Sequence, residues 1–230
     1  MKFPIPAWTA IGWSSGAGNR NSPTAALRSK PFESWMNGVD EPIKTTLIDV
    51  VDLLEQQSVR YVLIGALAAS LRGQPRVTAD VDLVIRADVA RALRLISSLA
   101  TSRFEPLLPD VEEVVKRSLI VPLRHRYTGV KVDMALGLSG FEQQLIDRAE
   151  DVTIAGLSIR VATAEDLLLM KVLARRPRDD QDIHGIIAAR GATMDWDYCR
   201  RVARDLGEAL SQDLLTRIQD LSSHVHEDEA

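Results

Sequence analysis

The stretch YVLIGALAASLRGQPRVTADVDLVIR, residues Tyr61–Arg86, carries two aspartates, Asp80 and Asp82, at alternate positions of an otherwise apolar run. On a strand that spacing sends both carboxylates to one face, about 6.6–6.8 Å apart along the backbone. Val81, Leu83 and Ile85 then take the other face, toward a core. Two short acids on a rigid face can share a hard divalent cation such as Mg2+. Asp133 alternates in the same way within Val130–Leu136, opposite Val130, Val132, Met134 and Leu136. If the two strands are neighbours, three carboxylates converge. Without a cation they repel and at least one pKa rises. Around two metal ions about 3.5–4 Å apart they form the clamp used for in-line phosphoryl or nucleotidyl transfer. Gly65 sits fifteen residues before the pair, between an apolar run and a helix-like segment. Lacking a Cβ, it lets phosphate oxygens approach backbone N–H groups at a helix start. Plainer readings stand beside these. An Asp-x-Asp pair can be a solvated strand face, and Asp133 can pair with Lys131 or Arg126 instead of a metal.

The elements that must position these residues follow from periodicity. Ile43, Leu47, Val50, Val51 and Leu54 recur at helical spacing. Tyr61–Ile64 reads as a buried strand, 66–71 as a small-residue helix and 80–86 as a second strand. Asp88 is placed to N-cap a helix through Ala100. A short helix near 111–117, strands at 119–123 and 130–136, a helix at 141–149 and a hairpin at 152–161 turning at Ala155-Gly156 complete the mixed part. Thr163 and Asp166 resemble a capping box opening a helix through Ala174. Helices near 182–189, 196–206 and 209–221 follow, with Gly191 and Gly207 as their breaks. The order predicts an α+β fold and not a regular βαβ series. Residues 1–40, rich in Pro and Gly, read as a poorly ordered leader, 41–161 as the mixed core and 162–230 as a helical part packed on it.

Composition agrees with a folded chain: apolar residues make up 46% and charged residues 26% of 230, near the globular average. Lys and Arg number 28 against 32 Asp and Glu, a net charge of −4, so any polyanion contact must come from a local patch. Cys199 stands alone, which excludes an internal disulfide framework and a multi-cysteine zinc site. No run approaches the ~18 apolar residues of a membrane span, and no apolar h-region follows Lys2. A cytoplasmic protein without membrane association is expected.

The strand–glycine junction at Gly65, the motif Arg76-x-Thr78-x-Asp80-Val81-Asp82-Leu83 and the lone strand Asp133 resemble the nucleotidyltransferase superfamily related to DNA polymerase β. Within it they are most similar to the AbiEii-type branch of type IV toxin–antitoxin and phage-defence systems. A second motif of that branch is matched by Glu165-Asp166-Leu167, Lys171, Ala174, Arg175, Arg178, Asp179 and Asp182. The resemblance covers roughly Tyr61–Ile187. It implies a polymerase-β-like core, a small mixed sheet with flanking helices, followed by a helical C-terminal part.

It also implies roles. Asp80 and Asp82 would ligate both of two Mg2+ or Mn2+ ions, and Asp133 would ligate one while accepting the attacking hydroxyl's proton. The backbone at Gly65 and Ala66 would meet the triphosphate, with Arg76 or Thr78 from the loop. Lys171 would reach the phosphates from a helix face turned away from the core, oriented by Asp179 or Asp182, with Arg175 in support. The implied reaction is attack by an acceptor hydroxyl on the α-phosphorus of a nucleoside triphosphate, with release of pyrophosphate. The acceptor would be an RNA 3′ end such as that of tRNA, or a protein, and a cognate antitoxin is the implied partner. Arg86, Arg91, Arg94, Lys116, Arg117, Arg124, Arg126 and Lys131 make the middle of the chain locally basic, which suits RNA and equally suits ordinary solvated helices. Two departures from the branch stand out: Gly65-Ala66 replaces Gly-Gly or Gly-Ser, and the loop after Ala174 is arginine-rich with Pro177. The first lends weight to a contrasting reading, a catalytically idle nucleotide-binding or antitoxin-type interaction module on the same fold.

Overall fold

The structure, a computed structural model, describes residues 40–154 and 156–227. The expected leader lies outside them but for Asp40, as does Ala155 of the expected hairpin turn. The elements in chain order are α1 (Glu41–Gln56), β1 (Tyr61–Ile64), α2 (Gly65–Arg72), β2 (Asp80–Ile85), α3 (Val89–Ser97), β3 (Phe104–Pro106), α4 (Val111–Ser118), β4 (Ile120–His125) and β5 (Lys131–Leu136). There follow α5 (Gly140–Arg148), β6 (Glu150–Ile154), β7 (Leu157–Val161), α6 (Ala164–Ala174), α7 (Asp179–Arg190), α8 (Trp196–Leu210) and α9 (Leu215–Glu227).

The strands form one mixed sheet in the order β3-β4-β5-β2-β1-β7-β6. Its centre is the parallel pair β2–β5, flanked by antiparallel β1 and β4. Both central strands are buried on both faces, with Val81, Leu83, Val84, Val132, Met134 and Ala135 inaccessible to solvent. This α+β arrangement, helices on a mixed sheet and then a run of helices, is the one the periodicity predicts.

Differences from the sequence reading have local causes. β3 escapes prediction because three residues carry no period; it is held as an antiparallel edge on β4. Gly207 does not break a helix: α8 runs through it and ends at Ser211 in a left-handed turn. The glycine is needed because a Cβ there would come within 2.7 Å of the Gln212 carbonyl in the returning loop. α7 begins three residues earlier than its apolar period, at the acidic turn Asp179-Asp180, where carboxylates suit the helix N-terminus. The box at Thr163 is half formed. Thr163 Oγ1 accepts the Asp166 N–H, but the Asp166 carboxylate turns inward, where the Tyr198 hydroxyl donates to it at 2.5 Å and Arg148 Nε at 3.2 Å. The Arg148 guanidinium stacks 3.8 Å above the Tyr198 ring. A complete capping box forms instead at the start of α5, where Ser139 and Glu142 cap each other's backbone.

Asp166 is fully buried and joins α5, α6 and α8. Replacing it by Ala strands a buried hydroxyl and a half-buried guanidinium. Asp166→Ala is expected to lower stability by about 3 kcal/mol in urea unfolding. Asp166→Asn, whose carbonyl still accepts from Tyr198, should cost distinctly less.

Candidate active site

The register of the central ladder places the acids. In the β2–β5 pair Asp82 stands opposite Asp133 and Asp80 opposite Lys131, so the three carboxylates share one face of two adjacent strands. Asp82 and Asp133 are each 3% exposed, while Asp80, at the strand entrance, is half-buried. On the other side Asp82 faces Ile64, the last residue of β1. There the chain turns into α2 through Gly65 at φ +75°. A Cβ on Gly65 would sit 2.8 Å from Cβ and Cγ of Asp82 and overlap its Oδ2. The glycine is therefore demanded twice, by its left-handed backbone and by the carboxylate lying against its Cα. No side chain caps the start of α2, so its first N–H groups are available to an anion. Ala66 is buried in the first turn.

Burial dominates the electrostatics. Desolvation, then the charges of Asp133 and Asp80, push the Asp82 carboxyl up to about 7, against the opposing pull of Lys131 and Lys171. Burial also raises Asp133, partly countered by Lys131, whose Nζ lies 2.5 Å from Asp133 Oδ2. Asp82 Oδ1 is buried and has no hydrogen-bond partner among the described residues.

The loop from α2 to β2 is tied to the start of α7. Arg76 forks onto Asp182, with Nε to Oδ1 at 2.6 Å and Nη2 to Oδ2 at 3.1 Å. Lys171 donates to the same Asp182 at 2.5 Å and to Asp179 at 3.0 Å. Gly73 and Gly185 let the loop and α7 touch backbone to backbone, since a Cβ on Gly73 would meet Gly185 and Ile186 at 2.7 Å. Thr78 stays local, its hydroxyl donating to the Asp80 carbonyl at 3.3 Å.

Lys171 does not lie on a face turned away from the core. α6 is buried on nearly every side, and Lys171 is 5% exposed. Two carboxylates receive its ammonium group. The structure does not bring Arg175 to the acids. It ends α6 at φ +51° and reaches the Asp213 carbonyl at 2.7 Å, between α8 and α9. Its neighbour Arg176 is near enough to Asp82 to feel its charge, though less than that of Asp179. In a run of arginines nothing in the sequence separates the two; the left-handed residue at the helix end decides it. Of the two pairing partners the sequence offers Asp133, the structure uses Lys131, while Arg126 pairs with Glu105.

The donor set fits a hard divalent ion. Three aspartates would supply oxygen ligands from one face, and Asp82 Oδ1 is a buried acceptor with no hydrogen-bond partner among the described residues. The carboxylates do not form a closed cage by themselves: among the described residues no three His, Cys, Asp or Glu side chains make a ready-made metal cluster, and Lys131 holds the Asp133 oxygen. The locally basic middle is partly tied up within the fold. Arg86 pairs with Asp147, Lys116 with Glu113 and Arg126 with Glu105, and Arg91 binds the Gln57 and Ser58 carbonyls.

In metal-free protein Asp82 binds its proton more tightly folded than unfolded. Between the ordinary aspartate pKa and about 7 the native state holds the extra proton, so this group's contribution to stability falls as pH rises through that window. Asp82→Asn should therefore raise the metal-free Tm at pH 8 by about 5 °C or more, with the gain shrinking toward pH 4–5. Thermal melts in chelator across pH check this. Gly65→Ala should destabilise at every pH by about 2 kcal/mol or more.

Residues 43–225 match the family described as "Nucleotidyltransferase of unknown function (DUF6036)". No curated protein matches the chain. Among solved structures, an antigenic nucleotidyltransferase-like protein from Paracoccidioides brasiliensis is 22% identical with a TM-score of 0.51, covering 82% of this chain and 94% of its own. The antibiotic-resistance factor ANT(2'')-Ia is 13% identical with a TM-score of 0.50, covering 75% of this chain and 97% of its own. At these identities the likeness is one of fold, and it is the family match over most of the described residues, together with the acid strip, that identifies the protein: the chain belongs to this nucleotidyltransferase family.

Proposed function

We propose that the enzyme transfers a nucleoside monophosphate from a nucleoside triphosphate to an acceptor hydroxyl, using two Mg2+ or Mn2+ ions held by Asp80, Asp82 and Asp133. The observation that carries this is the in-register pairing of Asp82 with Asp133 on adjacent parallel strands, against the glycine that opens α2. Bound ions would neutralise the triphosphate and the charge that spreads over the transferring phosphoryl group. The rest falls to the chain. The N–H groups at Gly65 and Ala66 receive phosphate oxygens. Asp133, more basic than a solvated aspartate because it is buried, takes the acceptor's proton. Arg176 and Lys171 supply positive charge near Asp82, and Asp179 and Asp182 hold Lys171 in place. Arg76, rather than touching phosphate, pins the loop that carries Asp80 to α7.

The departure at Ala66 weighs little in this reading. Its methyl is buried within α2, so the helix start keeps its backbone N–H and lacks only a hydroxyl. We further propose a core over 41–161 with a helical part over 162–230, membership of the AbiEii-type branch with a cognate antitoxin, and action in the cytoplasm, where triphosphates are abundant. The Arg76–Leu83 motif and the Glu165–Asp182 segment support that branch. No helix among the described residues is long and apolar enough to cross a membrane. The acceptor we propose is an RNA 3′ end such as that of tRNA, with a protein hydroxyl as the other outcome of the same assay.

The test is incubation with Mg2+, each α-phosphate-labelled triphosphate, and total RNA or protein from the host. Label should enter the acceptor as pyrophosphate is released. Asp82→Asn and Asp133→Asn should lower the rate by about a thousandfold or more, and Lys171→Met should raise KM for the triphosphate. Tight triphosphate binding with no label transferred to either acceptor would overturn the enzyme reading in favour of the idle module.

A further inference from the structure

One cation on the acid strip has no part in the transfer chemistry. Lys131 opens β5, two residues before Asp133 and on the same face. Its cross-strand partner in β2 is Asp80, and its partner in β4 is Arg124. The ammonium therefore has anions toward the site and an exposed cation on the other side. It takes the side of the anions: Nζ lies 2.5 Å from Asp133 Oδ2, and its charge reaches Asp82 too. The Asp133 side chain is 4% exposed, whereas that of Lys131 is 23% exposed, with its stem at the rim of the site. The two facing acids are thus treated unequally. Asp133 is held by an ammonium, while Asp82 Oδ1 is buried without a partner among the described residues.

An ion shared by Asp82 and Asp133 would draw on the same carboxylate whose Oδ2 Lys131 now holds. One monovalent ammonium cannot replace the charge of the divalent ions, but it can compete with them. A divalent ion within a few ångströms would also repel it, strongly so where water is scarce. The flexible four-carbon stem and the rim position give the ammonium somewhere to go.

We propose that Lys131 is an internal counter-ion for the metal-free site: it holds the Asp133 oxygen until a divalent ion displaces it, and so sets the metal concentration at which the site loads. This rests on the acid trio being the metal site. It assigns Lys131 a positioning role, acting through Asp133 and not on the substrate.

Mn2+ titration followed by electron paramagnetic resonance, without nucleotide, tests it on full-length wild type, Lys131→Met, Lys131→Gln, Lys131→Arg and Asp82→Asn, each checked for folding by circular dichroism. Lys131→Met and Lys131→Gln should bind Mn2+ about tenfold more tightly or better, and Lys131→Arg should stay near wild type. The metal-free Tm of the two neutral variants should fall, because the carboxylates lose their counter-charge, and their Tm gain on saturation with Mn2+ should exceed that of wild type. Either neutral variant that folds suffices. If Asp82→Asn loses Mn2+ binding while the neutral Lys131 variants bind with wild-type or weaker affinity, the counter-ion proposal fails and the metal site stands. If Asp82→Asn binds Mn2+ as wild type does, the metal-site reading fails, and the proposal with it.

Discussion

Two carboxylates face each other across the central parallel ladder of a buried sheet, and most of the rest of the molecule can be understood as making that possible. Asp82 and Asp133 would separate, or protonate, if left to their own electrostatics. Backbone hydrogen bonds and the opposite face hold them together. Val81, Leu83, Val132 and Met134 are fully buried on the far side, and a slip of one residue between β2 and β5 would send the acids into that core and the valines out. The apolar alternation thus fixes the register, and the register imposes the charge problem.

The answer to that problem is spread over elements distant in sequence. α2 begins at a glycine pressed on Asp82, α6 brings Lys171, the turn after α6 brings Arg176, and β5 brings Lys131. The C-terminal helices are more than a cover. Asp182 receives both Arg76 and Lys171, so one carboxylate couples the loop that leads into β2 to the helix that carries the buried lysine. Two acids and two cations meet in that cluster, so each buried charge has an opposite one beside it. The Gly73–Gly185 contact lets the cluster close without side chains between the two backbones.

Much of this is legible in the sequence because it depends on period and short-range spacing. The strands carrying Asp80, Asp82 and Asp133, the helix after Gly65 and the mixed-then-helical order all follow from alternation and helical period. The adjacency of β2 and β5 does not follow, since some fifty residues and two further strands separate them; from sequence, Asp133 joins the pair only conditionally. Nor can sequence distinguish Arg175 from Arg176, because a single left-handed residue at the end of α6 sends Arg175 to the Asp213 carbonyl and leaves Arg176 nearer the acids. Lys171 misleads for a related reason. A lysine in a leucine-rich helix reads as the edge of an amphipathic face, yet α6 has no polar face, and the partners of its ammonium arrive from α7, eight and eleven residues later.

The two lysines near the acids show why burial, and not charge alone, decides what a cation does. Lys171 is enclosed and held by two carboxylates at once, so moving it would strip Asp179 of its ion pair and bury an unpaired ammonium, while Asp182 would keep Arg76. Lys131 is bridged to one carboxylate, that of Asp133, and its side chain is nearly a quarter exposed, so releasing it exposes an ammonium to water at small cost. A site that must be stable when empty and neutralised differently when loaded needs both kinds of cation. The fixed one is part of the field in which, on the proposed function, a nucleotide would be held. The movable one offsets the repulsion between the acids only while nothing stronger is bound. That division follows from where the two residues sit: Lys131 is the first residue of a central strand, at the end where it enters the sheet, and Lys171 lies in the last turn of a helix packed among others.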